Sequence, residues 1–470
     1  MLLLVTIAGA SALYASSVEP PVCAAIEADH TTGVDATSTQ ADWTAVMAKG
    51  RALREKSRYA DAEQCFRLAV SLVEDLGDTD PRYPESLNAL ATVIQAKGRY
   101  DEAERLFRQE LAARRRHPAE HSLDLAIGLS NLANVLRVKG QNRESELLQL
   151  QALEIQRAAL PPEHPILLET LYGLGAIQAA AGRTADAEAT LRGVLTSERR
   201  VLGPEHPSLA QTLSELGHVE YILGRYTEAA LLYRRALAIR EKVYGPQAIE
   251  VGLTLNKLAE LERTEGLAGE AEKHWRRTIG IWEATMGSAH PLLAGALNNL
   301  GMLFIDQGKT EEAESLFRRA LYIQQMASGP EHPDVARILN NLASVCQRRR
   351  QYAEAEQIYI RVLAIEQAKL GPEHFEIART WNNLAKALFA EGRYEEAESL
   401  YIRALALQEK TLGRTHPEIA ATLSNYAELL RKAHRNVDAR ILDNRARQID
   451  SQARRDRSMQ YTISLQDMKK

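Results

Sequence analysis

Between Pro333 and Pro372 the apolar residues fall into two runs with helical spacing. Ile338, Leu339, Leu342, Val345 and Cys346 form the first, and Ala355, Tyr359, Val362 and Leu363 form the second. Positions three and four apart share a helix face, so each run predicts one amphipathic helix. The polar stretch Arg350-Gln351-Tyr352 separates them. Gly371 supplies the left-handed turn that ends the second helix, and Pro372 cannot continue it. Pro333, like Pro207 and Pro417, suits the first turn of the next helix, where its missing N–H is not needed. The unit is therefore helix, short turn, helix and a proline-bearing link.

That link recurs. It reads Leu-Gly-Pro-Glu-His-Pro or a drifted form of it, starting at Leu160, Leu202, Tyr244, Met286, Ser328, Leu370 and Leu412, each 42 residues after the last. A constant period of this size predicts a stacked array of one helical hairpin. Small residues set how closely the two helices of a hairpin approach. One stands in each first helix, from Gly50, Ala91, Ala133, Gly175 and Gly217 to Ala259, Gly301, Ala343, Ala385 and Ala427. Twelve residues later a second alanine follows in every repeat but the third, where Ser145 replaces it. Four residues further on comes a large side chain such as Phe66, Phe107, Tyr233, Trp275, Phe317, Tyr359 or Tyr401. Small faces small, and a ring fills the space beside them.

This arrangement resembles the tetratricopeptide repeat, including Gly-Arg-Tyr at Gly98, Gly224 and Gly392 in the turn between helices. The long period, the Asn-Asn-Leu-Ala runs (Asn340 to Ala343, Asn382 to Ala385) and the Gly-Pro-Glu-His-Pro links resemble the kinesin-light-chain variant and its bacterial relatives. The resemblance spans ten repeats and implies an all-α, right-handed solenoid of helix-turn-helix units over residues 42–454. Residues 1–18 read as a signal peptide or short apolar anchor, 19–41 as a flexible lead-in, and 455–470 as a polar tail. Asp443 stands in the last repeat where others carry a large ring, and Arg431, Lys432, Arg435 and Arg440 surround it. That is the polar surface an exposed solenoid end requires.

Bulk composition removes several functions. Basic and acidic residues nearly balance, at 58 against 62, so a nucleic-acid partner is not expected. Cys23, Cys65 and Cys346 are too few and too scattered for a disulfide framework or a zinc site. Cys346 lies on an apolar helix face and reads as core. The apolar leader from Leu2 to Val18 ends in small residues, though no Lys or Arg precedes it. It predicts export to a periplasm or beyond, with or without retention as an anchor, and a cytoplasmic chain if it is not a signal.

No phosphate-binding glycine loop, paired Cys-x-x-Cys, metalloprotease motif or nucleophile elbow occurs, and the chain reads as a non-enzyme without cofactor or small-molecule substrate. Six histidines, His164, His206, His290, His332, His374 and His416, recur in the links. Equivalent atoms of stacked helices lie ~10 Å apart, far beyond the ~2 Å of a metal bond, so they cannot share one ion. Glu312, Glu354 and Glu396 each open a second helix, where an acid meets the helix dipole favourably.

Asn131, Asn299, Asn341, Asn383 and Asn425 stand two residues before the small position. The family resemblance implies that this place faces the concave groove and that its amide bonds a bound peptide. An amide both donates and accepts, which suits an extended chain; a solvated face or a bridge between repeats would use the same residue. Positions one turn away extend the stripe to Arg337, Ser344, Arg348, Arg379 and Lys386, so the C-terminal groove reads as basic and rich in amides. The equivalents Glu169, Gly173, Ala176, Ala180, Gln211, Glu215, His218 and Ile222 make the middle groove small, apolar and slightly acidic. The expected function is binding of partner proteins through acidic or C-terminal peptide segments. The alternative is an assembly scaffold that associates, or self-associates, through its convex face or ends.

Overall fold

A computed structural model describes residues 36–55, 58–76, 80–116 and 122–467. The apolar leader, the greater part of the lead-in and Cys23 lie outside the described residues. Cys65, buried in the second helix, is disulfide-bonded, which the sparse cysteines did not lead one to expect. Ten hairpins follow in order. They are α1 (Ala36–Glu55) with α2 (Tyr59–Glu74), α3 (Arg82–Ala96) with α4 (Tyr100–Arg114), α5 (Ser122–Val138) with α6 (Asn142–Ala159), and α7 (Pro165–Ala180) with α8 (Thr184–Val201). Next come α9 (Pro207–Ile222) with α10 (Tyr226–Tyr244), α11 (Ile249–Thr264) with α12 (Ala268–Met286), and α13 (Pro291–Asp306) with α14 (Thr310–Ser328). The last three pair α15 (Pro333–Arg348) with α16 (Tyr352–Leu370), α17 (Phe375–Glu391) with α18 (Tyr394–Leu412), and α19 (Pro417–Lys432) with α20 (Asn436–Asp467). Among the described residues there is no strand. The array is an α-solenoid, and α20 continues through the polar tail.

Two compact units divide the chain within α5. The first takes residues through Ala96 together with Tyr100–Asn131, and the second takes Lys97–Arg99 and everything from Leu132. Within the first, a Cβ added to Gly50 would stand 2.6 Å from the Phe66 ring. Within the second, Gly301 is as tight against Phe317, at 2.7 Å, so glycine is needed for the ring to lie flat on the partner helix. Ser145, the exception among the alanines, is fully buried and donates to the Ala133 carbonyl at 2.6 Å. Its hydroxyl is satisfied by the helix it packs on, which is how a polar atom is kept at this depth.

The links work by capping. Each of the six histidines is the N-cap of the following helix, and its Nδ1 accepts from the backbone N–H two residues on, at 3.1 Å for His332 and 3.2–3.3 Å for the others. This fills one of the orphan donors of the first turn, the task Ser or Asp performs elsewhere. Gly371 has positive φ as expected, but its ψ of 157° lies in a region open essentially to glycine alone, not in the left-handed helical well. The left-handed helical turn belongs instead to the position between paired helices, as at Gly392 (φ 86°, ψ 7°). Arg350 and His434 hold that position without being glycine, both at φ 60°.

From α7 onward consecutive first helices touch one another. Consecutive second helices share no comparable contact, so the first helices of the second unit form the inner side of the stack. Asp443 in α20, where other repeats bury a ring, is held by Arg431 at 2.5 Å.

Candidate functional site

The inner stripe of the second unit is organised by asparagines. Asn341 Nδ2 donates to Asn298 Oδ1 at 2.7 Å, Asn383 to Asn340 at 3.0 Å, and Asn425 to Asn382 at 3.0 Å. Each bond joins one first helix to the one before it. The accepting asparagines are 3–9% exposed, whereas Asn299, Asn341, Asn383 and Asn425 are half-buried. The doublet thus splits its labour: the first residue is sunk between helices, and Asn341, Asn383 and Asn425 each reach back from the groove wall to the sunk asparagine of the preceding repeat. Asn299 and Asn383 accept long bonds from their own neighbours, at 3.5 and 3.4 Å. Asn341 Oδ1 and Asn425 Oδ1 accept none from the described residues.

Around this ladder the charges are partly spent. Arg337 pairs with Asp334 at 3.3 Å, and Arg379 pairs with Glu376, each within one turn of its own helix. Arg348 and Lys386 are exposed and have no partner among the described residues, and Ser344, the α15 equivalent of Lys386, is half-buried. The buried asparagines Asn298, Asn340 and Asn382 were not singled out as groove residues in the sequence, although the Asn-Asn doublet signals them.

The middle stripe differs. Glu215 and Lys257, equivalent residues of α9 and α11, pair at 3.2 Å. Burial pushes Glu215 upward, but Lys257, His218 and Arg137 outweigh it and hold the carboxyl below the usual range. Burial and Lys257 together lower His218. Tyr172 is pushed up to about 12, chiefly by burial. Glu169 is exposed by area, yet the surrounding groove wall strips enough water to raise its carboxyl, and burial raises Glu260 likewise.

In the first unit a cleft gathers Arg51, Arg54 and Arg114 with Glu85 and Asp124. Arg51 pairs with Glu85, and Arg114 pairs with the fully buried Glu110 at 2.7 Å and with Asp124 at 3.1 Å. Its opposite charges are largely neutralised within the cleft. Among the described residues no group of three histidine, cysteine or carboxylate side chains could hold a metal ion, and no helix is long and apolar enough to cross a membrane. Cys346 is 2% exposed, and burial pushes its thiol up to about 11, so it is a core residue.

Fold and inner stripe define a helical-repeat protein whose polar ladder is built between repeats. The tetratricopeptide repeat model matches residues 43–116, 124–196, 180–242, 250–326, 292–368, 334–389 and 376–452, and the chain belongs to that family. No curated protein matches at the sequence level. Among solved structures the chain is similar to BtubC (BKLC) from P. vanneervenii, at 23% identity and a TM-score of 0.42, covering 49% of this chain and 92% of that one. It is also similar to a putative kinesin light chain with nearly identical TPR-like repeats from Podosopora anserina, at 26% identity and a TM-score of 0.36, covering 44% and 99%. The apo form of RapI matches at 15% identity and a TM-score of 0.45, covering 60% and 98%.

Proposed function

We propose that this chain binds segments of other proteins along the inner stripe of its second unit, in the stretch from α13 to α19. One observation carries the reading: the asparagine ladder holds the amides of Asn341, Asn383 and Asn425 at a fixed repeat, beside the unpaired cations Arg348 and Lys386. A pre-set row of amides lets an extended backbone bond without first ordering the site. Arg337 and Arg379 are held by acids of their own helices, and exchange of those exposed pairs for a partner's carboxylate costs little. The partner segment is acidic or ends in a carboxylate, and no chemistry is performed on it.

The ladder dictates how to test this. Replacing Asn341 and Asn383 would strand the buried amides of Asn298 and Asn340, so lost binding could not be told from lost packing. The informative variant is Arg337→Gln, Arg348→Gln, Arg379→Gln and Lys386→Gln together. Arg234→Gln with Arg361→Gln, two exposed arginines of second helices, is the control. Partners captured from the native compartment should be lost with the groove variant and kept with the control, at unchanged helix content. The reverse pattern refutes the reading.

A second reading rests on a separate observation. Tyr322 and Met326 on α14, Ile360 on α16 and Ile402 on α18 are 51–71% exposed, an apolar patch on the second helices. Association through this patch would make the array a scaffold. Sedimentation that is unchanged by Tyr322→Ser with Met326→Ser excludes it. We further propose export, on the strength of the apolar run from Leu2 to Val18.

A further inference from the structure

The charges of the inner stripe of the second unit can be separated into those already paired and those left over. Glu215 is bound to Lys257, Arg263 to Asp306, Arg337 to Asp334, Arg379 to Glu376, and Arg431 to Asp443. Arg137 donates to Asn134. Glu428 and Lys432, four residues apart on the exposed face of α19, are not paired with each other, but their opposite signs cancel and leave no net charge at that end. What remains is two carboxylates, Glu169 on α7 and Glu260 on α11, and two cations, Arg348 on α15 and Lys386 on α17. None of the four has a partner within ion-pair distance among the described residues. The leftovers are sorted by sign along the array: negative in the middle repeats, positive toward the C-terminal ones.

These zones share one channel. Glu260 feels the field of Arg337, two repeats away, although the two do not pair. Consecutive first helices touch throughout this stretch, so no gap interrupts the wall. An unpaired carboxylate partly stripped of water is poorly stabilised, and an incoming cation would restore what it has lost.

We propose that the groove takes a segment of bipolar charge, with basic side chains over Glu169 and Glu260 and acidic ones over Arg348 and Lys386. This rests on the groove reading above, extends the site from α13–α19 back to α7, and adds the register of the occupant. From Glu260 to Arg348 and Lys386 is two to three repeats, on the order of 20–30 Å at ~10 Å per stacked helix. A strand of ~6–9 residues spans that at ~3.3 Å each. The two charge blocks of the partner are therefore separated by a stretch of about that length. A like-charged segment would meet repulsion at one end, so the arrangement also selects against uniformly acidic or basic chains.

The test uses the full chain and four labelled peptides of equal length, read by fluorescence anisotropy. One carries a lysine block and an aspartate block separated by eight neutral residues. A second has the same composition with the charges interleaved, a third is all-acidic and a fourth all-basic. The blocked bipolar peptide should bind about tenfold tighter than the interleaved one, the sum of a few exposed pairs. Glu169→Gln with Glu260→Gln should abolish its advantage over the all-acidic peptide. Arg348→Gln with Lys386→Gln should abolish its advantage over the all-basic one. The blocked and interleaved peptides are compared on the unaltered protein, so a variant that folds poorly does not void the result. Equal affinity for those two overturns the inference. If the all-acidic peptide then binds as well as any, the groove reading stands alone; if no peptide binds, both fall.

Discussion

Glu366 is 4% exposed near the end of α16, and the fold does little to accommodate its charge. Thr380 of the next repeat donates to its Oε1 at 3.2 Å, while Oε2 has no partner. Burial pushes the carboxyl from an ordinary 4.5 to about 7, and nearby Glu376 adds to the rise more than Arg379 offsets it. Glu198, the equivalent of Glu366 in α8, is 2% exposed and also raised to about 7 by burial. The equivalent positions in α6, α14 and α18 hold Gln156, Gln324 and Gln408, all buried. Glutamine is thus the array's own neutral solution, and Glu366→Gln is the perturbation of choice. The folded chain keeps a proton that the unfolded chain releases above 4.5, so stability falls as pH rises from 4.5 through 7 and is level beyond. At ~1.4 kcal/mol per pH unit the ceiling is about 3 kcal/mol, and the new amide returns some of it by needing partners of its own. Glu366→Gln should therefore stabilise α16 and α17 by about 1–3 kcal/mol at pH 8 and by almost nothing at pH 4.5. Stacked repeats can open separately, so the assay is amide hydrogen exchange in α16 and α17 across that range, beside urea melts followed by helix signal. A variant-minus-parent difference that does not grow with pH, or grows with the opposite sign, refutes the reasoning.

Two further outcomes follow from packing and one from the leader. Ala343→Leu forces a large side chain against Tyr359, both fully buried, and should cost about 1–3 kcal/mol with unfolding that begins in the C-terminal repeats; an unaltered urea midpoint would disprove the packing role. Arg350→Gly and His434→Gly should each gain about 0.5–1 kcal/mol, because φ 60° strains a side-chain-bearing residue, and a loss in the same melts would show that those side chains earn their strain. N-terminal sequencing of the native protein should begin between Ala12 and Val22, and an intact Met1 on a cytosolic chain would end the export proposal.

The hairpin was legible because every repeat solves one packing problem with the same few letters. The period, the small and large pairs and the proline links each state a local requirement, and local requirements survive in a single sequence. The histidine N-cap is equally local, its partner two residues away, but the sequence places these histidines only in the links and does not assign the cap. Glu312, Glu354 and Glu396 open their helices on solvated or half-solvated faces, as their period implied. What escaped was set between repeats. Asn298 and Asn341 are 43 residues apart, and nothing local says that one of two adjacent asparagines is sunk and the other is not. Glu198 and Glu366 escaped because their column elsewhere holds Gln, Arg or Trp, so no acid period drew attention to them. The pairing of Glu215 with Lys257, which leaves Glu169 and Glu260 over, needed the stack itself.

The ladder also changes what an asparagine in this stripe can do. A side chain that merely faced a groove would pay its rotamer entropy when a partner arrived. Here Asn341, Asn383 and Asn425 have spent that entropy on folding, through bonds of 2.7–3.0 Å to buried amide oxygens that have no other donor among the described residues. The bridging role and the binding role are therefore not rivals. Each Nδ2 anchors the side chain to the repeat before it and leaves an oxygen facing the stripe, without a donor among the described residues at Asn341 and Asn425 and shared with Asn382 at Asn383. Repeats without the doublet, such as the one with Glu215 on α9, fix the same position by a charge pair instead and present a different surface. Variation at this one column changes what each repeat offers while the cores behind it keep the same small and large residues.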